Sequence, residues 1–223
     1  MKTATLAVAV VACLSLAGAA RGGLITFGLI DEFSGATPPE GTVPPAWLTV
    51  TMDDGVDNSD GIVTLTLAAT NLTGSEKVKE WYLNLDSSFD PENLAFTNPV
   101  KTGAFGDPTI SKGMDAFKAG SDGFYDIEFV FDHTGNASKN FGGGESVQYT
   151  VELSSGGMLT AASFDFLSAP AGGHEPHLTA AHVQSIGAGE DSGWITAPEP
   201  ATLGILATGM VFSLLAARRK KAA

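Results

Sequence analysis

The carboxyl-terminal segment, residues 198–223, is the sequence feature that most limits how the rest of this chain can be interpreted. It begins with a Pro-Glu-Pro motif, continues with 17 residues that carry no charge, and then has four consecutive cations. These parts are Pro198, Glu199 and Pro200, then Ala201 to Ala217, then Arg218, Arg219, Lys220 and Lys221. An uncharged helix of that length is roughly 25 Å long, at the lower edge of what spans a bilayer. The cations would stop translocation on the cytoplasmic side, so we predict a transmembrane helix over residues 201–217.

The three parts, in this order, resemble the PEP-CTERM sorting domain of Gram-negative bacteria, also catalogued as an ice-binding-protein C-terminal domain. In that family a membrane enzyme, exosortase, recognises the Pro-Glu-Pro motif and cleaves the tail from the exported protein. The resemblance implies that exosortase is a partner of Pro198, Glu199 and Pro200. It also implies a protein exported across the inner membrane, transiently anchored there, and then located at the outer surface or outside the cell. An ordinary carboxyl-terminal membrane anchor is the alternative.

The amino terminus has the features of a secretory signal peptide. Lys2 precedes an apolar run from Ala4 to Leu16, and Ala17-Gly18-Ala19 is a cleavage site of the A-x-A type. We therefore predict a signal peptide over residues 1–19, one exported domain over residues 20–196, and the sorting signal over residues 197–223. The single cysteine, Cys13, falls inside the signal peptide, so the exported domain has neither a disulfide nor a cysteine ligand or nucleophile.

The exported domain is strongly acidic. Residues 24–196 contain six lysines and 24 acidic residues, which is a net charge of −18. Such a surface repels nucleic acids and anionic lipids, so we expect no nucleic-acid partner. Divalent cations and basic surfaces would be attracted to it.

Alternating apolar and polar residues predict β-strands along the domain. In the segment from Gly61 to Thr70, Val63, Leu65 and Leu67 alternate with threonines, which is the pattern of a strand with one buried face. About ten such strands joined by Gly- and Pro-rich turns predict an all-β fold, an antiparallel β-sandwich of jelly-roll-like or immunoglobulin-like type. We interpret residues 99–123 as loops with one brief strand around Thr109, and residues 159–167 as a strand.

The densest acidic run is a candidate calcium site. Asp53, Asp54, Asp57 and Asp60 lie in one short segment, and calcium prefers several oxygen ligands from a flexible loop. The EF-hand pattern fails, because Val56 stands where that loop has its first acidic ligand. A hairpin turn with solvated aspartates is the alternative.

The histidines suggest a second candidate metal site. His174, Glu175 and His177 follow two glycines, with His182 nearby, and imidazole binds zinc or copper. Pro176 forbids the helix on which metalloproteases present two histidines four residues apart. The alternative is a polar loop whose imidazoles bond to backbone atoms.

Signals of catalysis are weak, so we expect a protein that is not an enzyme. There is no Gly-x-Ser-x-Gly motif, and no stretch distinguishes one pair of carboxylates as glycosidase residues. We predict a structural or adhesive role in the exopolysaccharide matrix or the envelope. The alternatives are a carbohydrate-binding module, with Trp47 and Trp194 as an exposed sugar platform and Trp81 in the core, and a secreted hydrolase with two carboxylates in a deep cleft.

Overall fold

The structure is a computed structural model that describes residues 23–33, 37–56, 59–133, 139–172 and 175–198. Within these residues the chain forms twelve strands and two short 3-10 helices. The strands are β1 (Leu24–Leu29), β2 (Asp31–Phe33), β3 (Leu48–Asp53), β4 (Val63–Ala68), β5 (Lys77–Leu83), β6 (Leu94–Thr102), β7 (Thr109–Ala119), β8 (Asp122–Val130), β9 (Phe141–Gly142), β10 (Ser146–Leu153), β11 (Thr179–Ile186) and β12 (Asp191–Thr196). The 3-10 helices are Pro91–Asn93 and Ala161–Phe164.

The strands form two antiparallel sheets. The five-stranded sheet has the order β1-β3-β4-β10-β6, and the seven-stranded sheet has the order β2-β12-β11-β5-β8-β7, with β9 paired to β5. Neighbours in both sheets pair antiparallel. The prediction of an all-β chain with antiparallel sheets is therefore confirmed.

One core lies between the two sheets. In β4, Val63, Leu65 and Leu67 are fully buried, whereas the threonines between them are half-buried, as the alternation predicts. Phe129 of the seven-stranded sheet contacts Phe96 of the five-stranded sheet, with ring centroids 5.6 Å apart. Burying a large apolar side chain contributes about 1.5–3 kcal/mol, so this shared core holds the two sheets together.

A second, smaller apolar group covers the other face of the seven-stranded sheet. We call it the outer aromatic cluster; it consists of Phe33, Tyr82, Phe117, Ala119, Tyr125, Ala180 and Trp194. The turn between β7 and β8 lies on this cluster, because a Cβ added at Gly120 would be 3.1 Å from Nε1 of Trp194. Gly120 also has a φ of +58°, so a glycine suits this turn for two reasons.

Two segments differ from the sequence-based prediction. Residues 99–123 were expected to be mostly loop, but β7 spans eleven residues from Thr109 to Ala119. The segment from Leu159 to Leu167 was expected to be a strand, but it contains the 3-10 helix Ala161–Phe164. A capping box, in which the side chains of Thr160 and Ser163 bond to each other's backbone amide, stabilises that helix.

The two predicted membrane-targeting segments lie outside the described residues. These are the signal peptide over residues 1–19 and the transmembrane helix over residues 201–217. In the part of the chain that the structure describes, no helix has the length and apolar character needed to cross a bilayer.

Candidate functional site

The Pro-Glu-Pro motif begins immediately where the folded domain ends. Thr196, the last residue of β12, is buried and donates a 2.7 Å hydrogen bond from its hydroxyl to the carbonyl oxygen of Thr179. Its own carbonyl accepts a 3.0 Å bond from the amide of Ile30. Ala197 is buried as well, and Pro198 is half-buried. The packed domain therefore continues into the first proline of the motif without a spacer.

The first proline lies against the edge of the five-stranded sheet. A cavity of about 240 Å³ is lined by Pro198, by Phe27 and its neighbours in β1, and by Asp165 and Leu178. The other residues predicted for the sorting signal, Glu199, Pro200, Arg218, Arg219, Lys220 and Lys221, lie outside the described residues.

Four carboxylates of the domain each accept hydrogen bonds from two backbone amides that lie apart in the chain. We call them the carboxylate clamps: Asp54, Glu76, Asp126 and Glu145. Asp54, which is 6% exposed, accepts from the amides of Gly23 and Ala161, the latter at 2.8 Å. It thereby joins the start of β1 and the second 3-10 helix to the end of β3.

The other clamps tie loops together in the same way. Glu76 accepts from the amides of Glu40 and Thr73, at 2.6 and 2.7 Å. Glu145 accepts from the amides of Ala104 and Gly142, at 3.0 and 2.8 Å. Both glutamates line a cavity of about 410 Å³. Hydrogen bonds from backbone amides to a carboxylate are strong, so Glu76 and Glu145 stabilise the conformations of the loops that they join.

The candidate calcium residues do not all have the same role. Asp53 and Asp60 are exposed and accept bonds from the amides two residues further on, Gly55 at 2.9 Å and Ile62 at 3.0 Å. Asp54 is a carboxylate clamp, and Asp57 lies outside the described residues. Among the residues with described positions, no group of three histidine, cysteine or acidic side chains is placed to hold a metal ion.

The histidines of the second candidate metal site do not lie together in the residues that the structure describes. His174 lies outside the described residues. The amide of His177 donates to Ser168 Oγ at 3.0 Å, and its ring contacts the ring of Phe33 with centroids 4.6 Å apart. His182 lies elsewhere, on β11, where burial lowers its pKa below the usual value, with Glu80 opposing and Lys79 adding to the shift.

All three tryptophans are described, and none is among the exposed side chains. Trp47 is 8% exposed and donates from Nε1 to the carbonyl oxygen of Gly41. Trp81 is fully buried in the core, as predicted, and donates from Nε1 to Thr179 Oγ1 at 2.9 Å. Trp194 is half-buried in the outer aromatic cluster. The platform of exposed tryptophans that a carbohydrate-binding module would present is therefore not formed by these side chains.

A tyrosine lies between two carboxylates on the outer face of the seven-stranded sheet. The hydroxyl of Tyr82 is 3.0 Å from Glu80 Oε2 and 3.0 Å from Glu128 Oε1. Burial raises the pKa of Tyr82 well above its usual value, and the charges of both glutamates raise it further. Lys79 Nζ is 2.7 Å from Glu80 Oε1. Because the phenol hydroxyl lies within hydrogen-bond distance of both carboxylates, Tyr82, Glu80 and Glu128 form one hydrogen-bonded network.

A pocket that the sequence did not indicate lies where β7 is interrupted. Lys112 pairs with Ile127, and the next pair along β7 joins Phe117 to Tyr125. Between these two pairs β7 advances by five residues and β8 by only two, so β7 forms a bulge. Met114 and Asp115 of this bulge line a cavity of about 210 Å³, together with the segment from Phe166 to Ala169 and the residues that directly follow β5. We call it the bulge pocket. Irregularities of this kind re-aim side chains, and they are frequent beside binding sites.

The clamp Asp126 forms part of this pocket and holds the bulge. Its Oδ1 accepts from the amide of Asp115 at 2.8 Å, and its Oδ2 accepts from the amide of Leu85 at 2.9 Å. Burial raises the pKa of Asp126, and the two backbone hydrogen bonds oppose that shift. No single residue type marked this site in the sequence, because it depends on a break in strand register and on a loop that had been taken for a strand.

Comparisons with known proteins identify the carboxyl-terminal signal. Residues 196–220 match the family model of the PEP-CTERM protein-sorting motif. Neither the comparison with curated proteins nor the comparison with solved structures gives a match. The matched residues start at Thr196, so the family motif overlaps the end of β12 and continues through the segment that carries the cations. This chain carries a PEP-CTERM protein-sorting motif at the end of its all-β domain, which implies exosortase-dependent sorting to the cell surface.

Proposed function

We propose that this protein is a structural or adhesive component of the exopolysaccharide matrix or the outer envelope. Exosortase would act on the Pro-Glu-Pro motif after export, and the all-β domain would be the part that is displayed. The observation that carries the proposal is the direct continuation of β12 into Pro198. Because the domain is packed up to the sorting motif, sorting of the motif to the cell surface would display the whole folded domain there.

The arrangement of the acidic residues supports a non-catalytic role. The carboxylate clamps use both of their oxygens to hold backbone amides, and the pair formed by Glu80 and Glu128 is occupied by Tyr82. Catalytic carboxylates must instead reach the substrate. Carboxylates that hold backbone amides stabilise the folded domain, which suits a protein that must remain stable outside the cell.

The proposal is tested in the natural host by comparing the wild-type strain, a strain without the protein, and a Glu199→Ala strain. We expect the protein in the matrix fraction of the wild type only, and we expect the other two strains to release more polysaccharide under shear. Equal polysaccharide release from all three strains would contradict a structural role. Hydrolysis of a polysaccharide by the purified protein, abolished by one carboxylate substitution, would replace the proposal with the hydrolase alternative.

A further inference from the structure

The bulge pocket is lined by three large apolar side chains that are exposed to solvent. Met114 is 55% exposed, Phe166 is 40% exposed and Leu167 is 49% exposed, and all three line this one cavity. They come from two separate segments, the β7 bulge and the loop after the second 3-10 helix. Apolar side chains that converge on one cavity at the surface of an acidic domain indicate an interaction site.

The polar lining of the pocket carries negative charge and no positive charge. Asn84 and Ser87 lie on one side, Asp126 forms part of the lining, and the exposed Asp115 lies beside Met114. Asp115 has a φ of +50°, and its amide is held by Asp126. A non-glycine residue in the left-handed region is uncommon, and such residues are enriched at ligand sites. The bulge therefore presents a carboxylate next to an apolar surface.

The size of the pocket limits what can occupy it. Its volume of about 210 Å³ is below the roughly 300–1,000 Å³ of pockets for drug-sized ligands. This volume suits one small ring better than a larger ligand. A mixed lining of apolar, amide, hydroxyl and carboxylate groups matches a ring with one apolar face and several polar substituents.

We propose that the bulge pocket binds a single amino-sugar ring of an extracellular polysaccharide, with the protonated amine bound by Asp115 and the apolar ring face packed on Phe166 and Met114. This inference rests on the proposed matrix function and names the ligand of the domain. A carboxylate attracts an ammonium group and repels the carboxylate of an acidic sugar. Ser87 supplies a partner for a ring hydroxyl, whereas Asn84 is buried and its amide donates to the carbonyl oxygens of His177 and Leu178.

The test uses the full chain, purified in a zwitterionic detergent without sugar head groups, and titrates it with glucosamine, glucose and glucuronic acid at pH 7. Ligand-observed NMR measures the dissociation constants. We expect saturable glucosamine binding with a dissociation constant on the order of 1 mM, about tenfold weaker glucose binding and no glucuronic acid binding. Equal binding of glucosamine and glucuronic acid, or no saturable binding of glucosamine, would overturn the proposal.

Two variants separate the charge from the apolar surface. Asp115→Asn tolerates the same backbone conformation, and should weaken glucosamine binding about tenfold while leaving glucose binding unchanged. Phe166→Ala should weaken both sugars by a similar factor, since it removes apolar contact surface. Val100→Ala is the matched control, because Val100 is 61% exposed on β6 and does not line the pocket. An unchanged dissociation constant in Asp115→Asn would exclude the assigned role of that carboxylate.

The same variants distinguish failure of this inference from failure of the proposed function. If Asp115→Asn and Phe166→Ala bind glucosamine as wild type does, while the wild-type strain retains its matrix phenotype, the pocket assignment is wrong and the matrix role stands. If the strain without the protein has an unchanged matrix, the proposed function fails, whatever the sugar titrations give.

Discussion

The imidazole of His182 lies flat on the indole of Trp194, with ring centroids 4.6 Å apart and an angle of 9° between the planes. The two residues are direct cross-strand partners on β11 and β12. His182 Nδ1 is also 3.9 Å from Glu80 Oε2, but burial dominates and favours the neutral imidazole. The stacked pair therefore links the packing of the outer aromatic cluster to pH.

We expect the free energy of unfolding to fall as the pH decreases from about 6.5. The pKa of His182 is lower in the folded state than in the unfolded state, so below pH 6.5 the unfolded chain binds more protons. The stabilisation is present above the unfolded pKa and is lost as the pH falls through the folded pKa. Thermal melts between pH 7.5 and 5 check this. His182→Phe keeps an aromatic ring on Trp194 without titrating, so its loss of stability should be smaller; identical pH profiles would contradict the assignment.

Substitution of a carboxylate clamp should cost far more stability than substitution of its neighbour. In Asp54→Asn, one side-chain oxygen becomes an amide donor that faces the amide of Gly23 or of Ala161. Leaving a buried donor unsatisfied costs about 1–3 kcal/mol, which lowers the melting temperature by roughly 3–10 °C. Asp53→Asn is the control, because Asp53 is exposed and bonds only within its own turn, so its effect should stay within about 0.5 kcal/mol. Equal melting temperatures for the two variants would show that the clamp contributes no stability.

Calcium binding by the acidic segment remains a prediction. Asp54 is a poor candidate ligand, because both of its carboxylate oxygens accept hydrogen bonds from backbone amides. The ligands would have to come from Asp53, Asp57 and Asp60. Calcium at about 100 times its dissociation constant stabilises a fold by about 2.7 kcal/mol, so millimolar calcium should raise the melting temperature relative to EDTA. The Asp53→Asn/Asp60→Asn double variant should lose that increase. A wild-type protein with the same melting temperature in both buffers has no calcium site.

Processing by exosortase should remove the tail close to Pro200. Mass spectrometry of the protein from its natural host should therefore detect no peptides beyond about residue 203. Glu199→Ala should keep the peptides that precede Arg218, because the motif is no longer recognised. Finding the intact tail in most wild-type molecules would leave an ordinary membrane anchor as the explanation of residues 198–223.

Residues 23–198 should fold without either terminal segment. We expect a monomer with a β-type circular dichroism spectrum and one cooperative melt, because the core residues that the structure describes between the sheets run from Leu29 to Ile195. The charge of −18 should make the domain less stable at low salt than at 0.15 M, where repulsion is screened over about 8 Å. Aggregation of this protein, or a higher melting temperature at low salt, would contradict the expectation.

Strands with one buried face were predictable, because burial on one side imposes a strict alternation. The strand predicted in the segment from Gly61 to Thr70 is β4, whose observed bounds, Val63–Ala68, differ from the prediction only at the ends. The strand β7 was predicted only as a brief strand around Thr109, because its residues do not alternate regularly between apolar and polar along its length. Its bulge between Lys112 and Phe117 breaks the alternation, so a pattern of period two cannot extend across it.

The roles of single carboxylates were not predictable, because they depend on contacts far along the chain. Asp53 and Asp54 are adjacent and chemically identical, yet one faces solvent and the other binds an amide 107 residues away. The bulge pocket depends in the same way on Asp126 and on the loop around Phe166, which meet only in the folded chain. The Pro-Glu-Pro motif could be identified from the sequence, because its residues are consecutive and do not depend on contacts made in the folded chain.

Because the folded domain continues directly into Pro198, the distance between the domain and the apolar segment that begins at Ala201 has an upper limit. Three residue steps separate Pro198 from Ala201, and a fully extended chain spans at most about 3.6 Å per residue, so the domain lies within about 11 Å of the first residue of the apolar segment. If residues 201–217 span the membrane before cleavage, as the sequence predicts, we expect the β1 edge and Leu178 to lie on the side of the domain nearest the bilayer. If exosortase cleaves close to Pro200, the new carboxyl terminus would lie within a few residues of that edge, and a group attached there would hold the domain in one orientation, with the opposite end pointing outward.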